Sequence, residues 1–385
     1  MLTSLAYGAE LVVSHRSKSP NDPFEAEIAT AMNAVGLKCG GGANTERLQK
    51  YGRVMEILAL AKASQREITD KERKEVEENV KELVRILTGK EDISIMPDAG
   101  EIDIASLLIK MLAIESVSGT EEATNAGIPS AAATLFLGKT GIIRFKGSTP
   151  LGTSAGVDEA IHYVDSIIEP SDTTRKYADL FKDAGDGTFR FKKDVVLQAV
   201  KSKNDDKLMA LWRKSRRYDG KGCMDAVKHI ESVLADAFVG RKLMKLGSLL
   251  DTDKELLALE LEQAISAGRI AKSASKEEKI QAMQRKGVLG MNAILSMSLA
   301  LGRAVAASDS KELWQLIREM AGETMAKFVD ANTKGAKGKK KSLVDLKTTD
   351  FDELQTIFRE ASAGAIKDGK NITELLREQL PVYPA

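Results

Sequence analysis

The chain has 385 residues, of which 57 are basic and 56 acidic, for a formal net charge of +1, and 43% are hydrophobic. A chain of this length can bury enough surface for two or three packed units. The near cancellation of charge leaves no basic footprint for nucleic acid. The two cysteines, Cys39 and Cys223, lie far apart, which argues against a disulfide framework and against a cysteine-based zinc site. The N-terminus lacks the basic stretch and sustained apolar run of a secretory leader. No uninterrupted apolar run approaches the roughly 20 residues of a membrane span. Residues 289–307 come nearest, but Asn292 and Arg303 interrupt them, so this segment is expected to be a buried helix. A cytoplasmic protein without a membrane partner is the expectation.

In chain order, Leu11-Val12-Val13 reads as a short strand that runs into Ser14-His15-Arg16-Ser17. Asn21 or Asp22 can cap a helix with Pro23 in its first turn, where a missing N–H costs least. Phe24, Ile28 and Met32 give that helix one apolar face. A second short strand ends on Lys38 and is followed by Cys39-Gly40-Gly41-Gly42, a turn that the glycines make loose. A helix over about 44–63 is expected to bury Leu48, Tyr51, Met55 and Leu58. Thr69-x-x-Glu72 reads as a capping box for a third helix with the stripe Val76, Val80, Leu83, Val84 and Leu87, ended by Gly89. Residues 90–104 read as a loop. Leu107, Leu108, Met111 and Leu112 open an apolar region, and 131–137 with 141–146 predict a β-hairpin around Gly138-Lys139-Thr140-Gly141. The basic, mixed stretch 166–216 is expected to hold one helix near 194–212. The Lys334–Lys341 run reads as a solvated linker, and two helices near 350–362 and 371–379 follow.

In a parallel barrel the C-terminal ends of the strands carry the chemistry. His15, Arg16 and Ser17 would share one rim position and Lys38 the next, and Arg grips phosphate or carboxylate bidentately. Each also has a plainer reading, as a structural histidine, loop residues and a solvated lysine. His162 and His229 are expected to be solvated surface histidines.

The run Val12-Val13-Ser14-His15-Arg16-Ser17, the acidic–Pro–Phe helix start, Lys38 and the Thr45-Glu46-Arg47-Leu48-x-Lys50-Tyr51 helix resemble the last two β/α units of enolase. Gly141-Ile142-Ile143-Arg144 and Pro150-Leu151-Gly152-Thr153-Ser154-Ala155-Gly156-Val157-Asp158-Glu159-Ala160 resemble the mobile loop of the enolase capping domain, with Leu151 where a serine is usual. Tyr218–Gly222 with Ala226, Val227 and Ile230, and Leu289–Ala300, resemble two further capping-domain helices. The order is permuted, since the end of the barrel precedes the capping domain. The final Leu380-Pro381-Val382-Tyr383-Pro384 resembles the opening of the first barrel strand.

The resemblance implies a mostly helical α/β (α+β) chain. Residues 1–64 would be the end of a (β/α)8 barrel and 65–104 a helical connector. An enolase-like capping domain would fill 105–333, with an insertion near 166–216, and 334–385 would be a basic linker and C-terminal helices. It implies Mg2+-dependent dehydration of 2-phosphoglycerate to phosphoenolpyruvate. His15 and Lys38 would descend from catalytic groups, Arg16, Ser17 and Lys38 would hold the phosphorylated carboxylate, and Ser154 would contribute to a metal site. The family's metal carboxylates, acid and lysine base find no counterpart, although Glu10, Glu115, Asp158 and Glu159 are available acids. Three readings stand: half of a split enzyme whose barrel is completed by another chain or a homo-oligomer, a non-catalytic binding or structural module, or a fragment.

Overall fold

The computed structural model describes all residues except 17, 43, 65–68, 73, 76–77, 79–81, 83–108, 152–158, 186, 333–345, 347–348 and 380–385. The described chain is a mixed α/β structure dominated by helices. Strand β1 (Val12–Ser14) pairs in parallel with β2 (Gly36–Lys38), placing Val12 beside Gly36, Val13 beside Leu37 and Ser14 beside Lys38. Between them runs the helix Phe24–Ala31, whose first turn Asp22 caps through Oδ1, which accepts from the Phe24 N–H at 3.0 Å. This is one right-sized β/α/β unit, and among the described residues no further strand joins it, so no barrel closes.

The helix Thr45–Ser64 follows β2. Its buried side carries Glu46, Lys50 and Ile57, not the apolar stripe expected to be inward. Leu48, Met55 and Leu58 are 51%, 68% and 53% exposed, and Tyr51 is also exposed. The helix meets the rest of the fold on one flank, where Lys50 and Arg53 find carboxylates and carbonyls, and its apolar flank faces outward. Thr69 and Glu72 form the expected capping box, with Thr69 N–H donating to Glu72 at 3.0 Å; most of the helix it would start lies outside the described residues.

A three-stranded antiparallel meander follows: β3 (Ile114–Ala123), β4 (Pro129–Leu137) and β5 (Ile143–Ser148), in the order β3-β4-β5. The expected hairpin is β4–β5. Strand β3 was not expected, because its acid-rich sequence lacks clean alternation. The long helix Met291–Ser308 lies across β4 and β5, buried on most sides. It is long and apolar enough to cross a membrane by composition, yet 78% of it is buried inside the fold. Its contact with β5 is closest at Gly147, where a Cβ would come 2.3 Å from the Ser296 carbonyl oxygen and 2.6 Å from the Leu299 Cβ. Ile114, Leu135, Leu137, Ile230, Leu234, Phe238, Leu256, Met297 and Leu301 form the core around that contact.

A second core joins chain ends far apart in sequence. Leu5, Ala31 and Met32 pack with Met325, Phe328, Phe358, Ile372 and Leu376 from the helices Leu313–Asn332, Phe351–Lys367 and Ile372–Gln379. The two C-terminal helices thus occur where expected. The 166–216 stretch differs from expectation. It holds an antiparallel hairpin, β6 (Phe181–Asp183) with β7 (Phe189–Phe191), and short helices at Asp172–Lys176, Leu197–Lys201 and Asp206–Ser215. Asn204 at φ 48° and the Asp205 cap break the single helix expected there. Aromatic side chains spaced through the stretch (Tyr177, Phe181, Trp212) make a small core of their own with Leu180 and Leu208.

Candidate functional site

The parallel register fixes the first site residues. Beyond β1, the His15 N–H donates to the Lys38 carbonyl at 3.1 Å, extending the ladder by one rung. The His15 ring bends back to the same oxygen, with Nδ1 3.0 Å from it. A carbonyl only accepts, so Nδ1 carries the proton and the Nε2 lone pair faces away from the backbone. His15 is half-buried and the Lys38 side chain is exposed. Both stand at the C-terminal ends of the two strands, as the sequence predicts.

Arg16 turns toward the second resembling segment. Its guanidinium pairs with Glu159. Two residues later the backbone joins the same segment, since the Leu151 N–H donates to the Lys18 carbonyl at 2.8 Å. Two stretches more than 130 residues apart in sequence therefore meet, at Arg16–Lys18 and at Leu151 and Glu159. Ser17 and Ser154, also expected at the site, lie outside the described residues.

Beneath this junction a buried charge network locks the β/α unit to the long helix. Arg303 donates to Asp22 Oδ1 and Oδ2, both at 2.8 Å, to Glu27 Oε2 at 2.9 Å and to the Lys146 carbonyl at 2.6 Å. Burial alone would lower the Arg303 pKa, but the Asp22 and Glu27 carboxylates more than reverse it and hold the guanidinium charged. Lys50 is fully buried, with Nζ 2.8 Å from the Asp22 carbonyl and 3.4 Å from Glu25 Oε2. Burial raises the Glu25 pKa, and Lys50 pulls against that rise.

These contacts decide whether the implied Mg2+ fits. The ion takes carboxylate oxygens in near-octahedral array. Among the described residues no three His, Cys, Asp or Glu side chains converge. Glu159 is paired with Arg16, and the buried acids Asp22, Glu25 and Glu27 are each committed to a cation, so a metal would have to displace Arg16, Arg303 or Lys50. The described residues do not fit the ion.

Neither His162 nor His229 is a solvated surface group, and His162 lies outside any helix. His229 Nδ1 lies 2.8 Å from the Leu289 carbonyl and its ring meets Tyr163 edge-on. Both ring nitrogens of His162 are buried without a hydrogen-bond partner, although the residue as a whole is only half-buried. Burial, helped by nearby Arg16, lowers the His162 pKa to about 4. The flanking residues are held on both sides: the Ile161 N–H donates to the Arg285 carbonyl at 2.7 Å and the Tyr163 N–H to Asn292 Oδ1 at 3.0 Å.

A cavity of about 450 Å3 opens beside Arg16 and Glu159. Its far wall carries Lys286, Asp253 and Ser298, none of which the sequence singled out. A lysine next to a glycine after a helix ordinarily reads as a solvated cap, so composition gave no signal for it.

The family model for the enolase C-terminal TIM barrel domain matches residues 1–73. The chain is related to the enolases. It is 35% identical over 113 residues to an enolase of Eimeria tenella, a match covering 29% of this chain and 21% of that protein. It is 44% identical over 50 residues to an enolase of Lactobacillus helveticus, covering 13% and 12% of the two chains. An enolase of Helicobacter pylori is 46% identical over 48 residues, covering 12% and 11%. The chain thus spans about a fifth or less of the length of these enolases. Enolase-family similarity implies a divalent metal in general, and the residues described here supply no cluster for one.

Proposed function

We propose that this enolase-related chain contributes the substrate-phosphate side of an enolase-type site and acts in the Mg2+-dependent dehydration of 2-phosphoglycerate to phosphoenolpyruvate, in the cytoplasm. It does so only when further β/α units, from another chain or a second copy, extend the β1–β2 pair. Residues 1–64 are then the closing segment of a (β/α)8 barrel and 105–333 its capping domain. The observation that carries this reading is the convergence of His15, Arg16 and Lys38 at one strand-end rim, with Arg16 reaching Glu159 across the junction.

The chain's own groups have limited roles. Arg16, with Ser17, would hold the phosphate, which must displace Glu159 from the guanidinium. Lys38 would meet the carboxylate, and His15 would present the Nε2 lone pair toward the substrate. Ser154 would add a ligand to a metal site whose carboxylates come from residues other than those described. The chain alone is therefore inactive on this reading.

One observation favours a second reading, a non-catalytic module. Asp22, Glu25 and Glu27 are fully used in holding the fold together through Arg303 and Lys50.

Phosphorus NMR with 2-phosphoglycerate tests the binding role. Weak saturable binding is expected, lost in Arg16→Ala and tightened in Glu159→Gln, which removes the competing anion. Unchanged binding in Arg16→Ala would remove the substrate role and leave the module.

A further inference from the structure

The cavity behind the junction has an unusual polar end. Lys286 follows the helix Lys276–Arg285 in the left-handed conformation at φ 50°, and its N–H closes the helix on the Ala282 carbonyl at 3.1 Å. That turn folds the side chain inward, leaving the residue only 4% exposed. Among the described residues its ammonium has one marginal contact, to the Gln284 carbonyl at 3.5 Å, and no carboxylate within ion-pair distance. The adjacent Glu260 does not neutralise it by contact. Glu260 is fully buried and accepts from the Val288 and Leu289 N–H groups at 2.9 and 2.8 Å, which fixes the backbone just past Lys286.

Asp253 also lines the cavity. One of its oxygens accepts from the Ser298 hydroxyl at 2.7 Å. Leu256, Leu257, Ile294 and Leu295 form the apolar walls. A buried ammonium with its hydrogen bonds unmade is costly unless an anion completes it. Burial lowers the Lys286 pKa and raises that of Asp253, and the attraction of nearby opposite charges does not cancel either shift.

We propose that this cavity binds a small organic acid: an anion at Lys286, an apolar body against the leucine and isoleucine walls, and a hydrogen-bond donor toward Asp253. A volume of about 450 Å3 falls within the range of small-ligand pockets. The cavity adjoins the strand-end rim at Arg16 and Glu159, but the anion position at Lys286 does not depend on the enolase-type reading.

The probe is 3-fluoro-4-hydroxybenzoate, which places a carboxylate and a phenol at opposite ends of a flat ring, followed by fluorine NMR on the full chain. Its neutral amide is the comparison. Saturable binding of the acid is expected, with the amide and the Lys286→Met variant each weaker by roughly tenfold or more, the scale of a hydrogen bond to a charged group. Leu295→Trp keeps the ammonium, fills the cavity from a half-buried position, and is expected to abolish binding. Circular dichroism confirms folding of each variant, and if Lys286→Met does not fold, Leu295→Trp and the amide decide. Equal binding of acid and amide, binding that survives Leu295→Trp, or no saturable binding to the folded chain would overturn the proposal.

Discussion

At the scale of single residues, buried charge without neutralisation controls how this chain responds to acid. His162 stays neutral in the fold because protonation would place a cation on buried ring nitrogens beside Arg16. Its folded pKa of about 4 lies below the ordinary imidazole value of 6.5. Between those values the unfolded chain binds the proton and the folded chain does not, so stability falls as pH drops through that window and levels off below it. The loss is expected to be about 3 kcal/mol at most. Urea unfolding at pH 7.5 and pH 5 should show the fall in the native chain, and His162→Leu should flatten it. An unchanged pH slope in that variant would place the acid sensitivity elsewhere.

Arg303 makes the complementary case. It is one cation shared by Asp22 and Glu27, so Arg303→Met leaves the buried Asp22 carboxylate without its ion-pair partner and Glu27 with Arg53 alone. Unfolding free energy should drop by about 3–5 kcal/mol, the usual result of breaking a buried pair from one side. Little of this was legible beforehand. Asp22 reads in the sequence as a helix cap, which it is, but its partner lies 281 residues away. The His15 and Lys38 rim was legible because a short apolar strand ending on a polar residue is a local pattern. His162 and Lys286 were not, because burial of a polar side chain is set by distant elements.

At the scale of elements, the closest packing lies between β5 and the helix Met291–Ser308. Gly147 permits it, since a methyl there meets the Ser296 carbonyl and the Leu299 side chain. Gly147→Ala is expected to force the helix off the sheet and cost about 1–3 kcal/mol, as overpacking does. A thermal melt of the variant checks it; an unchanged midpoint would mean that the contact yields freely. The long helix was readable from its run of Ala, Leu and Met, and the β4–β5 hairpin from its glycine turn. The helix Thr45–Ser64 was read on the wrong side. Its apolar period is real, but Lys50 and Arg53 find Asp22, Glu27 and Glu312 on the other flank, and those contacts set the orientation. Periodicity identifies a helix and its faces, while the neighbouring charges decided which face turned inward.

At the scale of the whole molecule, the β1–β2 pair is joined by no further strand among the described residues and lies near a helix with an outward apolar flank. Val12 and Val35 are 62% and 63% exposed, and Leu48, Met55 and Leu58 continue the surface. An exposed parallel edge with apolar neighbours is a template for further strands. The purified chain is expected to self-associate as concentration rises, and the triple change Leu48→Gln, Met55→Gln, Leu58→Gln to suppress this in sedimentation velocity. A native chain that stays monomeric at high concentration would count against an extended sheet.

The central claim, that the rim of His15, Arg16 and Lys38 belongs to an enolase-type site completed from outside the described residues, is tested most directly by turnover. Conversion of 2-phosphoglycerate is followed by the absorbance of phosphoenolpyruvate with excess Mg2+, for the chain alone and mixed with a polypeptide carrying the remaining β/α units. The account predicts no turnover alone, turnover in the mixture, and loss of about 100-fold or more in mixtures made with His15→Ala or Lys38→Ala. Robust Mg2+-dependent turnover by the isolated chain, or a mixture whose activity is indifferent to both substitutions, would contradict it.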